Sequence, residues 1–345
     1  MKSTAIPYFL SCAICFVLLS TSLFTYGQVS KKDQQKILSL AWFIESANNS
    51  INSLSGLLKK DNYRNKISAL NNPANSELGF NLKNETVSAL EPILGKTKKT
   101  DHRKFSAVIG NLLTTPEESG LMPIAKYIPA VSLFSTVLSL VGNLAISEKR
   151  VTNEDLNAFI LRTRQYFTQY EKLNTINENF ATDIEALLSS TDDTRNNLKT
   201  FLIECIITMD NSVSQETLNG MSMEALMQKY YDPQKLQVKL DTTTSLSGES
   251  LYPPDAATTV KMLGASLKKL QKEFESMYTN NYKALKELTA SLKTTVPGIN
   301  QEKLAATNED IDRLYNDSRQ SDIINLNIVR LDERMNIVCR MVNGN

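Results

Sequence analysis

One histidine in 345 residues leaves little from which to build catalysis. His102 lies in the polar run Asp101-His102-Arg103-Lys104, where a solvated side chain is expected. Any Ser-His-Asp or Cys-His mechanism would have to use it. A conventional zinc site needs three or four nitrogen or sulfur ligands, which this chain is poor in. There is no phosphate-binding G-x-x-x-x-G-K-[ST], no G-x-G-x-x-G after a strand and no G-x-S-x-G. The one tryptophan, Trp42, sits among Leu40, Phe43 and Ile44 and reads as core, so the aromatic platform of a sugar cleft is missing. Adjacent carboxylates do occur, at Glu117-Glu118, Glu154-Asp155 and Asp192-Asp193, and a glycosidase needs only two. Each pair falls near an expected helix end, where acids meet the helix dipole favourably. The chain is therefore read as non-enzymatic, with no cofactor, no metal site and no small-molecule substrate implied.

An excess of either charge is also lacking, with 38 Lys plus Arg against 37 Asp plus Glu. Nucleic-acid binding relies on clustered positive charge, so no nucleic-acid partner is expected. The most basic stretch, Lys96 to Lys104 (KTKKTDHRK), reads as a solvated surface. It also allows contact with anionic headgroups, because it shortly precedes an apolar segment.

Cysteine is scarce. Cys12 and Cys15 belong to the first 27 residues, which carry Lys2, an apolar run from Phe9 to Leu23 and small residues at Thr25 and Gly27. That pattern is a secretory signal cleaved near Gly27. The protein is accordingly expected to pass the inner membrane to the periplasm, the cell surface or beyond the cell. Cys205 and Cys339 remain, in the apolar surroundings FLIECIITM and NIVCRMV. An even pair in an oxidising compartment can close one disulfide. The alternative is two buried free thiols acting as small hydrophobes.

What the chain does contain is helical periodicity. Val260, Leu263, Leu267, Leu270, Phe274 and Met277 alternate spacings of three and four, a heptad seam that Leu285, Leu288 and Leu292 resume one position out of phase. Pro297 and Gly298 end it. Ile311, Leu314, Ile324, Ile328, Leu331, Met335 and Val338 mark a second long helix. The two are expected to form an antiparallel hairpin with arms of about 55 Å. Further helices are expected over Ile37–Leu58, Glu85–Leu94, from a Thr152/Asp155 capping box to Leu187, and from Thr194 to about Asp210. The region 231–259 holds Pro233, Gly248, Pro253 and Pro254 and reads as an irregular loop. Within it Leu236, Val238 and Leu240 alternate, which permits at most a minor β-hairpin near 235–250. The expected fold class is all-α: after the signal at 1–27, residues 28–345 make a single elongated helical bundle with coiled-coil-like helices and one central apolar helix.

That helix comes from Tyr127 to Ser147, the one long stretch without charge. Three readings of it stay open. A helix enclosed by others would use Ser132, Ser135, Ser139 and Gly142 for close packing. A permanent transmembrane helix has about the required length, though Asn143 is costly in hydrocarbon. A conditional hairpin would join it to Phe105–Leu113 (FSAVIGNLL) through the polar turn Thr114–Gly120 (TTPEESG). Long helices bearing one hydrophobic hairpin resemble in layout the cytolysin-A-type α-helical pore-forming toxins. The resemblance implies shielding in a soluble state and later insertion of 105–147.

The leading expectation is an exported protein that acts by protein–protein contact or self-association through a helical stripe, the candidate seam being Leu263, Leu267, Leu270 and Phe274. The alternative is insertion into a membrane, with Val131, Phe134, Leu138, Val141 and Ile146 as the lipid-contacting residues.

Overall fold

The computed structural model describes residues 29–59, 62–96, 99–113, 130–147, 151–242, 251–319 and 322–342. The expected signal at 1–27, the turn at 114–120 and residues 243–250 lie outside them. The chain is all-α: it is 86 % helical and has no strand among the described residues. The helices are α1 (Lys31–Lys59), α2 (Asn62–Leu70), α3 (Leu82–Leu94), α4 (Lys99–Leu112), α5 (Ala130–Ser147) and α6 (Asn153–Met209). After them come α7 (Gln215–Asn219), α8 (Met223–Leu226), a π-helical turn (Met227–Tyr231), α9 (Pro233–Thr242), α10 (Ala256–Thr295), α11 (Gln301–Arg319) and α12 (Asp322–Val342).

Two sequence expectations need correction. Leu236, Val238 and Leu240 do not extend into a strand; they belong to α9. Asp232 caps that helix, its side chain accepting from the amides of Gln234 and Lys235, and Pro233 occupies the first turn where it needs no donor. Leu236 and Leu240 are buried and Val238 is exposed, because positions four apart share a face in a helix as they do in a strand. The break expected near Asp192-Asp193 is also absent, since α6 runs unbroken for 57 residues. It contains no glycine or proline, and Leu187, Thr191, Thr194 and Leu198 keep one buried stripe across that point. The acidic pair is therefore mid-helix, with Asp192 ion-paired to Arg195 one turn on.

The described residues divide into two compact units. One comprises the described chain up to Leu54, Ser190–Leu270 and Ile323 onward. Its core takes Ile37, Leu40, Phe43, Ile44 and Ile51 from α1, Phe201, Leu202 and Ile206 from α6, and Val260, Leu263, Leu267 and Leu331 from α10 and α12. Here α10 and α12 run antiparallel: Lys268 pairs with Asp332 at 2.7 Å, Gly264 faces Met335, and Cys339 Sγ donates to the Ala257 carbonyl at 3.9 Å.

The other unit comprises Ser55–Ser189 and Gln271–Asp322. Here α10 and α11 are antiparallel about the turn at Pro297-Gly298. Thr289 donates to Asn308 at 2.8 Å, Lys286 meets Asp312 at 2.9 Å, and the Tyr282 and Tyr315 rings stack at 4.0 Å. Gly298 has φ +72° and Gly79 has φ +84°, backbone that other L residues adopt only at a cost. At Gly79 the contact is as restrictive as the torsion, because its carbonyl accepts from Asn300 N at 2.8 Å and a Cβ would lie 2.6 Å from Asn300 O. Tyr63, Phe180 and Tyr278 form an aromatic cluster in the core, with ring centroids 5.3–5.7 Å apart.

The uncharged helix as candidate functional site

Helix α5 lies in the second unit, and its neighbours follow from a simple register. Phe80 meets Tyr166 at 5.4 Å between rings, Arg162 donates to Ser88 at 3.1 Å, and Lys96 pairs with Asp155 at 2.5 Å. Each step forward along α3 is a step back along α6, so these two helices are antiparallel. Everything between Lys96 and Asp155 is thus an excursion from one end of this pair. Its helices fold back. Gly110, 11 positions into α4, lies beside Lys83, 11 positions before the end of α3. Phe134, 13 positions before the end of α5, packs its ring against that of Phe167, 14 positions into α6, with centroids 4.9 Å apart. Helix α4 therefore lies along α3, and α5 lies along α6.

The capping box that opens α6 holds the base of the excursion. Thr152 N donates to Asp155 Oδ2 at 2.9 Å, and Asp155 N donates to Thr152 Oγ1 at 3.3 Å. The Lys96 ammonium beside it, together with the Thr152 donors, holds the Asp155 carboxyl below the usual carboxylate range.

Helix α5 is covered on one face only. Leu133, Val137 and Val141, spaced by four, are buried, the last two with no exposed surface. Phe134, Leu138, Leu140 and Leu144 flank this stripe and are half-buried, whereas Ser135, Ser139 and Asn143 face solvent. Of the five candidate lipid-contacting residues, Val141 is therefore packed away, and Phe134 and Leu138 are partly covered. The side chains of Val131 and Ile146 lie outside the described residues. Among the described residues no helix is long and apolar enough to cross a membrane. The 18 residues of α5 span about 27 Å, short of the ~30 Å of a hydrocarbon core.

The candidate partner seam is occupied within the chain: Leu263, Leu267, Leu270 and Phe274 are all buried. Of the two readings left open for Cys205 and Cys339, the structure holds free thiols, Cys205 buried and Cys339 half-buried. Cys205 is fully buried in α6, where burial pushes its thiol far up. The hydroxyl of Tyr231, in the π-helical turn, is buried without an oxygen or nitrogen partner and faces that thiol. His102 is half-buried in α4, and Trp42 is half-buried under the Arg334 guanidinium at 5.2 Å.

A cavity of about 490 Å³ in the first unit is lined by Glu204, Asp255, Gln215 and Thr208. Partial burial and the neighbouring Asp255 raise the Glu204 carboxyl above its usual range. No third ligand joins these two acids: among the described residues no group of three or more His, Cys, Asp or Glu is placed to hold a metal ion. Sequence reasoning missed the Lys96–Asp155 contact, which depends on a long-range pairing. It also missed Leu161, 71 % exposed on α6, whose apolar spacing does not show which face is covered.

No family model matches this sequence, no curated protein matches it, and no solved structure matches it.

Proposed function

We propose that the protein is an exported, non-enzymatic helical bundle that acts by contact with another protein chain, through the open face of α5. One observation carries this reading: an 18-residue helix carries no charge at all, and its exposed positions among the described side chains are Ser135, Ser139 and Asn143. Exposed helix faces elsewhere in the chain carry charge, as at Lys172, Glu178 and Glu185 of α6. Interface cores are depleted of charge, because an ion that is buried without a partner pays a large desolvation cost. A second copy of the chain is the simplest occupant. A two-fold contact sets a surface against itself, and an uncharged face meets no like-charge repulsion there.

The test places a photo-crosslinking residue at Ser139 and, as a control, at the exposed Lys172, and follows self-association by sedimentation over a wide concentration range. Adducts from position 139 alone, weakened by Asn143→Lys without loss of helicity, support the reading. A monomer at every concentration with no adduct from 139 overturns it.

A second reading is insertion of α4 and α5 into a bilayer, which the same lack of charge favours. It requires α5 to leave α6, because Leu133, Val137 and Val141 are spent on the core. Dye release from liposomes with flotation of the same vesicles separates the two. Leakage with co-flotation supports insertion; intact, protein-free vesicles rule it out.

A further inference from the structure

We infer that the Lys96–Asp155 contact is a latch that closes the base of the α4–α5 excursion and holds both helices folded back. The inference concerns how α5 is held and made available, and it rests on the reading that α5 is the contact element. The two residues lie 59 positions apart, one just past the end of α3 and the other in the first turn of α6, the two stems that carry the excursion. Lys96 follows the Gly95 cap of α3, where exposed carbonyls favour a cation. Asp155 sits in the first turn of α6, where exposed amides favour an anion. A single oxygen, Asp155 Oδ2, takes Lys96 Nζ at 2.5 Å, Thr152 N at 2.9 Å and Thr152 Oγ1 at 3.1 Å. The carboxylate thus ties the exit of α3 to the entry of α6.

What it restrains is lightly docked. Helix α4 contributes Ile109 and Leu112 to the core with Leu113 just after it, and α5 contributes Leu133, Val137 and Val141. Among the described side chains each arm fully buries one narrow stripe, the kind of element that opens locally without global unfolding. With the stems pinned, either arm that opens is returned to the same place. With the stems free, the two arms open together and more often.

Amide hydrogen exchange on the full chain tests this without reference to any partner or membrane. Lys96→Met and Asp155→Asn each remove the ion pair, and Asn keeps a capping side chain at the start of α6. Exchange in 99–112 and 130–147 is expected to rise about two- to fivefold in both variants, and no further in the double variant. Residues 160–187 stay unchanged. Lys286→Met, which breaks the Lys286–Asp312 pair in the same unit, leaves 130–147 unchanged. Unchanged exchange in both arms, or an equal rise throughout the unit, overturns the latch. Crosslinking from position 139 fails or succeeds independently, so the loss of one conclusion is told from the loss of the other.

Discussion

Val137→Asp and Ser139→Asp place the same carboxylate two residues apart on α5, and the structure assigns them opposite outcomes. Val137 has no exposed surface, and Ser139 faces water. Burial of a valine side chain is worth about 1.5–3 kcal/mol, all of which the first change loses. The new carboxylate must also stay ionised without a partner or take up a proton. Taking up a proton at pH 7, about 3 units above the unfolded pKa of an aspartate, costs about 4 kcal/mol, which is the smaller penalty once burial has shifted the acid upward by that much. Release of α5 from α6 caps the total: among the described side chains undocking gives up the burial of Leu133, Val137 and Val141, a gross loss of about 5–9 kcal/mol, to which the half-buried Phe134, Leu138, Leu140 and Leu144 add. We expect Val137→Asp to lose at least about 3 kcal/mol in urea unfolding, or to free 130–147 to fast amide exchange while the rest stays protected. Ser139→Asp should stay within about 0.5 kcal/mol of the parent, as surface changes usually do. Equal effects of the two changes would refute the docking face, whatever their size.

Gly79→Ala should cost about 3 kcal/mol in thermal or urea unfolding, since it joins a left-handed torsion to a backbone contact at 2.6 Å. Gly298→Ala faces open space and should cost only about 1 kcal/mol, the torsional part alone. Tyr231→Phe removes a buried hydroxyl with no oxygen or nitrogen partner, so its unfolding midpoint should hold or rise, by up to about 1 kcal/mol. Native-state alkylation at mild alkaline pH should modify Cys339 well before Cys205, whose thiolate is suppressed by burial; the order is read by mass spectrometry. The folded Asp155 carboxyl titrates below its unfolded value, so its contribution is complete above the unfolded pKa of about 3.9 and disappears as pH falls through the folded one. The difference in urea midpoint between the parent and Asp155→Asn should therefore be constant near neutrality and shrink toward pH 3.

Local signals in the sequence carried most of the helix pattern. The Thr152/Asp155 box marks the start of α6 as expected, because capping depends on residues three apart. The stripe from Val260 to Met277 is buried along its length, because a 3–4 spacing has one meaning in a helix this long. Errors arose where two periods coincide or where polarity imitates a break. Leu236 and Leu240 satisfy both strand and helix spacing, and only the Asp232 cap, with Pro233 behind it, decides between them. Asp192-Asp193 reads as a boundary, yet Thr191 and Thr194 take core positions beside Leu187 and Leu198 and carry α6 through.

The candidate site was legible only in part, for a related reason. The uncharged stretch is visible at once, but its three readings differ in which face is covered, and that depends on α6, α3 and the Lys96–Asp155 closure rather than on neighbouring residues. Once Leu133, Val137 and Val141 are known to be inward, Ser135, Ser139 and Asn143 change meaning. They are not the close-packing small residues of an enclosed helix, because among the described residues they are exposed. Nor are they an ordinary wet surface, which in this chain is charged. A hydroxyl or amide is tolerated in water and loses little when a partner later covers it with hydrogen bonds, whereas a lysine or glutamate there would oppose every such burial. Exposure to water alone does not ask a helix face to avoid charge; the contact proposed for α5 does.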